Sequence, residues 1–257
     1  MSLEYAPRGL VGVLTPQANT TVEPEFNILL PAGLCLITGR LVSSKPRLES
    51  RLQDYFDNLN SATMQFSDAP LRALGVACTG SSYLSGPEHE DALFAALAQH
   101  KGIHVTSSAI AVVNALRTLN ARQIGLVSPY PDNLHDLSVN YWTARGFEVK
   151  ASSKVVAHKS NASSTNPIYT LDSSAVTNAL MALKAQSLDA IVMLGTGMPS
   201  LPSILLQPSL DGAAVISCTL ALAWECVCAA TGENRRLESL QSWIKGDHWH
   251  KRLRNES

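Results

Sequence analysis

The chain writes one phrase twice. An apolar run that ends in Val76-Ala77-Cys78-Thr79-Gly80 returns 117 residues later as Val192-Met193-Leu194-Gly195-Thr196-Gly197, with Gly195 standing where Cys78 stood. Two further pairs keep nearly the same spacing: Val11 to Pro16 against Ile124 to Pro129, offset 113, and Val105 to Ala109 against Val215 to Thr219, offset 110. Three pairs in one order imply two copies of a single α/β unit. Each copy alternates apolar strands with amphipathic helices, a pattern that calls for parallel sheets covered on both faces. The expected fold class is α/β, with two pseudo-symmetric Rossmann-like lobes. Residues 1–105 plus 216–257 form the first lobe and 106–215 the second, and the cleft between them, at the carboxyl ends of the strands, is the expected site.

Composition excludes several classes of partner. A formal net charge of −1 over 257 residues supplies no clustered basic face, so nucleic acid is not expected. No apolar run reaches the length of a membrane span, and the amino terminus lacks a basic region followed by an apolar one, which points to a cytoplasmic protein with no membrane partner. The five cysteines, Cys35, Cys78, Cys218, Cys226 and Cys228, are an odd number in a chain too large to depend on disulfides, and they read as free thiols. An apolar fraction of 46% is ample for a packed core.

Along the chain, strands are expected near 9–15, 33–42, 74–78, 123–128, 147–156, 190–194 and 213–217, with another beginning at Val105 and helices between them. Helices are read at 46–67, 91–100, from the Thr106-Ser107-Ser108 cap through Leu119, from the Pro129–Asn133 turn to about Arg145, and at 173–186, 199–207 and 219–231, and Gly86-Pro87-Glu88 reads as a break. The polar stretch 157–167 reads as a loop long enough to cover a site. Residues 234–257 read as one charged terminal helix with Trp243 and Trp249, whose apolar residues leave room for a homodimer.

Most catalytic motifs fail. Gly195-x-Gly197 lacks a third glycine and is followed by Pro199, so it is a poor dinucleotide fingerprint, and neither a Walker loop nor a Gly-x-Ser-x-Gly elbow is present. Cys226-Val227-Cys228 has the wrong spacing for zinc, and Asp247-His248-Trp249-His250 reads as a solvated face, so no metal is expected. Cys78 remains. A cysteine closing a buried strand is ordinarily structural, but Thr79-Gly80-Ser81-Ser82 after it reads as a helix start, where backbone N–H groups lower a thiol pKa and bind anions. Asn19, Thr20 and Thr21, following Pro16, could donate to a carboxylate or cap the next helix.

Thr15-Pro16-Gln17-Ala18-Asn19-Thr20-Thr21-Val22-Glu23-Pro24, Cys78-Thr79, Ser128-Pro129-Tyr130, Asp189-Ala190-Ile191 leading to Gly195-Thr196, Val215-Ile216-Ser217 and Trp224 together resemble the Asp/Glu racemase superfamily, in its maleate cis-trans isomerase and arylmalonate decarboxylase branch. The resemblance spans residues 9 to about 231, and its Asn-Thr-Thr-x-Glu-Pro run is the most specific part. It implies a cofactor-independent enzyme, with no metal, acting on a small carboxylate between two lobes. Typical members carry one cysteine per lobe; here Cys78 holds the first position and Gly195 the second. By the internal repeat Cys218 matches Ser108, so it belongs to a different loop.

Racemisation without a cofactor needs an acid on one face and a base on the other, so a lone thiol disfavours it. Two chemistries remain on one thiol: addition of the Cys78 thiolate to a maleate-like double bond, rotation and elimination, or loss of a malonate-like carboxyl followed by proton return from Cys78. The resemblance places arylmalonate decarboxylases in mirror image, glycine first and cysteine second, so this chain would protonate the opposite face. The expected binding residues are Asn19, Thr79, Gly80, Tyr130, Gly195, Thr196 and Gly197, with Asn166 reaching in from the long loop. A two-lobed carboxylate-binding protein without catalysis is the competing expectation.

Overall fold

The computed structural model describes residues 3–156 and 167–254. The first half runs β1 (Gly9–Pro16), α1 (Val22–Leu29), β2 (Leu34–Leu41), α2 (Leu48–Asp57), α3 (Leu59–Thr63), β3 (Leu71–Val76), α4 (Thr79–Ser85), α5 (Pro87–Lys101), β4 (His104–Ser107) and α6 (Ser108–Thr118). The second runs β5 (Gln123–Ser128), α7 (Asp132–Ala144), β6 (Glu148–Lys154), α8 (Ser173–Met181), β7 (Ala190–Met193), α9 (Leu201–Leu206), β8 (Ser209–Leu210), β9 (Ala213–Ser217) and α10 (Cys218–Thr231). Helices α11 (Leu237–Lys245) and α12 (His250–Leu253) close the chain.

The repeat is visible in the topology. One sheet has the order β2-β1-β3-β4 and the other β6-β5-β7-β9-β8, so the repeated phrases fall on equivalent strands: β1 with β5, β3 with β7, β4 with β9. All pairings are parallel except β8 with β9, an antiparallel two-residue edge that the sequence pattern did not show. The strands β3, β5, β7 and β9 are buried almost throughout, as parallel strands covered on both faces must be. Helix α10 comes after the second sheet in sequence but packs on β3 and β1 of the first and on α6.

Several helix bounds differ from the sequence reading, for local reasons. The helix expected over 46–67 breaks at Asn58 into α2 and α3, followed by a short 3-10 turn at Met64–Phe66. The break at Gly86 is present, at φ +78 between α4 and α5, but α5 starts directly at Pro87 and not at Asp91, because proline lacks the N–H that a first helical turn leaves unused. The terminal segment is two helices separated by Gly246, which caps α11 at φ +81. Trp249 is not on a solvated face: it is fully buried, and its Nε1 donates to the Trp243 carbonyl at 2.8 Å. Leu240, Trp243 and Ile244 are buried too, with α11 packed on α9, β9 and α6, so this apolar stripe is used within the chain. Among the described residues no helix is long and apolar enough to cross a membrane.

Candidate active site

Strand β3 delivers Cys78 to the cleft as the N-cap of α4, one residue beyond Ala77, whose amide bonds to the Leu14 carbonyl of β1. Gly80 follows because α2 packs on this turn: a Cβ there would lie 2.9 Å from Leu52 Cδ1. The equivalent turn after β7 carries Gly195, Thr196 and Gly197. A cavity of about 430 Å³ lies between the two turns, bordered by Asn19, Cys78, Thr79, Gly80, Tyr130, Thr196 and Gly197. Gly195 sits just outside this border, with Tyr130 in front of it. Asn166 lies outside the described residues, as does most of the loop expected to cover the site.

Hydrogen bonds stitch the halves together across the cleft floor. The Asn19 Oδ1 accepts from the amides of Thr21 and Val22 at 2.8 and 3.0 Å, which caps α1 and turns the Nδ2 toward Thr196 Oγ1 at 3.4 Å. The capping reading of Asn19 holds, and its Nδ2 reaches across the cleft floor to the other half of the chain. Thr21 Oγ1 donates to the Gly197 carbonyl at 2.9 Å, and Thr196 Oγ1 donates to the Ala77 carbonyl at 2.7 Å. Thr196 thus spends its hydroxyl proton on the protein, and only its amide is left for a ligand. Thr79 Oγ1 and the Tyr130 hydroxyl lie 3.3 Å apart, and burial pushes the Tyr130 phenol well above its ordinary range, so it stays a donor. The Tyr130 turn is itself held by Lys154, whose Nζ donates to the Tyr130 carbonyl and pairs with Asp132 at 3.2 Å.

The cavity has an apolar wall. Leu48 and Leu52 from α2, Leu134 from α7 and Ile168 face it, and no Asp, Glu, Lys, Arg or His is among the described residues that line it. Among the described residues, those that could hold an anionic ligand here are neutral dipoles. Nor do the described residues contain any cluster of three or more His, Cys, Asp or Glu arranged to hold a metal.

The electrostatics of Cys78 correct the expectation of a depressed thiol. The amide and hydroxyl of Ser81 pull its pKa down, but burial outweighs them and pushes the thiol above its ordinary value. Cys78 rests as a neutral S–H. Cys218 opens α10 after β9 as Ser108 opens α6 after β4, a different turn from that of Cys78 as the repeat implied; it lies behind the site, within hydrogen-bonding reach of the Thr79 hydroxyl and the Gly195 amide, is fully buried, and its thiol is pushed up to about 12. It does not border the cavity.

Gly195 adopts φ +80, and a Cβ there would lie 3.0 Å from the Tyr130 hydroxyl. The space a second thiol would need is filled by the phenol. Gly195→Cys is therefore expected to cost about 1–2 kcal/mol, from the left-handed backbone and the displaced tyrosine, and thermal denaturation checks this. An unchanged melting temperature would show that the turn relaxes freely.

Glu25, which the sequence reading passed over, ties α1 to the far side of the same turn. Its Oε1 accepts from the Ser200 amide at 2.6 Å and the Leu201 amide at 3.2 Å, and Ser200 Oγ lies 3.0 Å from both carboxylate oxygens. The signal was present: Glu25 falls on the buried stripe of Val22, Phe26 and Leu29.

Known proteins repeat this plan. The maleate isomerase of Geobacillus stearothermophilus is 29% identical over 208 residues, covering 76% of this chain and 80% of that one. A cysteine-to-serine mutant of Nocardia farcinica maleate cis-trans isomerase, carrying a covalently bound succinylcysteine intermediate, superposes with a TM-score of 0.74 at 24% identity, covering 86% of this chain and 92% of that one. An arylmalonate decarboxylase double mutant, one glycine changed to cysteine and one cysteine to serine, superposes in its liganded form with a TM-score of 0.72 at 20% identity, over 88% and 94%. A family model described as arylmalonate decarboxylase matches residues 11–240. Nearly the whole chain lies within that match, both turns of the cleft included, and the chain belongs to the arylmalonate decarboxylase family.

Proposed function

We propose that this protein is a cofactor-independent decarboxylase of malonate-like carboxylates bearing an apolar substituent, with Cys78 as its one catalytic thiol. The observation that carries the reading is a neutral, buried Cys78 thiol facing a cavity with an apolar wall and no charged lining residue among those described. The two lobes, 1–105 plus 216–257 and 106–215, would each supply one turn of the site. Five free thiols fit a reducing, cytoplasmic setting.

The chemistry follows from the donors. One carboxylate leaves as CO2, and its electron pair stays on the α carbon, delocalised into the remaining carboxylate as an enediolate. The Thr79 and Tyr130 hydroxyls, the Asn19 amide and the backbone N–H groups of Gly80, Thr196 and Gly197 are the dipoles available to hold that charge. Cys78 then gives its S–H proton to the α carbon, and water restores it. With glycine at 195 no second thiol stands opposite, so the proton arrives from one face and the product is a single enantiomer.

Isomerisation of a maleate-like double bond is the second reading, favoured by the Asn19-Thr20-Thr21-Val22-Glu23-Pro24 run and by the sequence relatives, which are maleate isomerases. The Nocardia enzyme holds a succinylcysteine even with a cysteine changed to serine, so covalent chemistry on that protein survives the loss of one thiol. It requires a thiolate, which the burial of Cys78 opposes.

NMR in deuterated buffer with phenylmalonate, maleate and aspartate separates the possibilities. Phenylmalonate is expected to yield phenylacetate carrying one deuterium. Conversion of maleate alone transfers the assignment to the isomerase, and inertness of all three leaves only carboxylate binding.

A further inference from the structure

From the geometry around its sulfur we infer that Ser81 is the positioning residue that lets the buried Cys78 give up its proton, by turning its hydroxyl from the Leu52 carbonyl to the sulfur as negative charge forms there. The inference rests on the reading of Cys78 as the reactive thiol. Ser81 Oγ lies 3.1 Å from Cys78 Sγ and 2.8 Å from the Leu52 carbonyl oxygen, with both side chains almost wholly buried. A hydroxyl has one proton, so it can serve only one of those two acceptors at a time. In the resting thiol state the proton rests on Leu52.

Turning it costs little. Leu52 lies within α2, where its carbonyl already faces the i+4 amide of the helix, so losing Ser81 leaves no orphaned group. What it gains is a charge-assisted bond to a thiolate, stronger than the neutral bond it replaces. Among the described residues no other side chain is hydrogen-bonded to the sulfur. The titratable groups that sense the sulfur are the phenols of Tyr55 on α2 and Tyr130 after β5, both themselves pushed upward, and no charged group contributes to the Cys78 shift. The Ser81 amide also points at the sulfur, so one residue provides two dipoles to it.

Bond changes balance simply. The Cys78 S–H bond breaks and a C–H bond forms on the substrate carbon, the electron pair remains on sulfur, and Ser81 rotates without breaking a covalent bond. The sulfur recovers its proton from water, and the hydroxyl returns to Leu52.

The test is the pH dependence of Cys78 alkylation by iodoacetamide, followed on its own peptide by mass spectrometry so that the other four cysteines do not interfere. In Ser81→Ala the midpoint is expected to move up by about one pH unit, seen as roughly tenfold slower alkylation below it, while Ser81→Thr, which keeps a hydroxyl, stays near the wild type. Ser81→Gly deletes the same hydroxyl and is read the same way if the alanine variant does not fold. A midpoint that stays put or moves down in the hydroxyl-free variant overturns the inference. The readout needs no substrate: a shifted midpoint in a protein inert to phenylmalonate and maleate supports Ser81 and removes the proposed reaction, while an unmoved midpoint in an active enzyme does the reverse.

Discussion

Cys78→Ser is expected to lose about 10²–10⁴-fold in kcat with little change in KM, since positioned proton transfer commonly contributes that much. The substitution is nearly isosteric and leaves the Thr79–Tyr130 pair and the Asn19–Thr196 bond in place, so the cavity that binds substrate is retained. What disappears is an acid able to release a proton to carbon. An interaction made only in the transition state shows itself in this way, in kcat and not in KM. Steady-state kinetics on whichever of phenylmalonate or maleate is turned over measures it, and full turnover by Cys78→Ser would remove the thiol from the mechanism. The wild-type pH profile adds a second discriminator. A thiol held above its ordinary range remains a proton donor through neutrality, so decarboxylation should hold steady there and fall only as Cys78 ionises at alkaline pH. A thiolate-dependent isomerisation would rise over the same alkaline interval.

How far the sequence reaches can be judged from particular residues. The repeat is legible because equivalent strands in two sheets need the same buried pattern and end in the same small-residue turns, so Cys78 and Gly195 could be paired before any contact was known. The Asn19 and Tyr130 motifs carried their own neighbourhoods with them. Contacts that depend on how two elements pack left no such trace. Leu48, Leu52 and Leu134 look like ordinary apolar positions on amphipathic helices, and only the packing of α2 on α4 and of α4 on α7 turns them into the wall of a cavity. The sign of the Cys78 shift was misjudged for a similar reason: local sequence shows the amides that stabilise a thiolate, but burial, the larger effect here, is a property of the whole fold. Helix ends such as Asn58 and Gly246 escaped because single-residue caps are weak signals against a continuing apolar period.

Glu25→Gln is expected to make the protein more stable than the wild type at pH 8, by on the order of 3 kcal/mol, with the difference shrinking to about 1 kcal/mol at pH 5. The carboxyl is pushed up from 4.5 to about 7 chiefly by burial, against the amides of Ser200 and Leu201 and the hydroxyls of Ser200 and Thr219, which pull it down. No charge acts on it: the neighbouring carboxylate of α1, Glu23, faces outward and pairs with Arg40 at 2.6 Å. The sign follows from linkage. A folded-state pKa above the unfolded value means that the native protein holds its proton more tightly, so the stability due to this group is complete below about 4.5 and is lost as pH rises through about 7. Glutamine mimics the protonated carboxyl throughout: its oxygen can still accept from the two amides, and its NH2 meets the Thr219 hydroxyl, which has no hydrogen-bond partner of good geometry. Urea unfolding of both proteins across pH 5–8 gives the difference directly, with every other titrating group common to the pair. Parallel profiles would mean that Glu25 is ionised in both states at neutral pH, and that its four hydrogen bonds offset burial completely. A widening gap toward pH 8 would instead show that the segment following Thr196 and Gly197 is anchored by a carboxyl whose proton is exchanged near neutrality, at the seam where the two halves of the site meet.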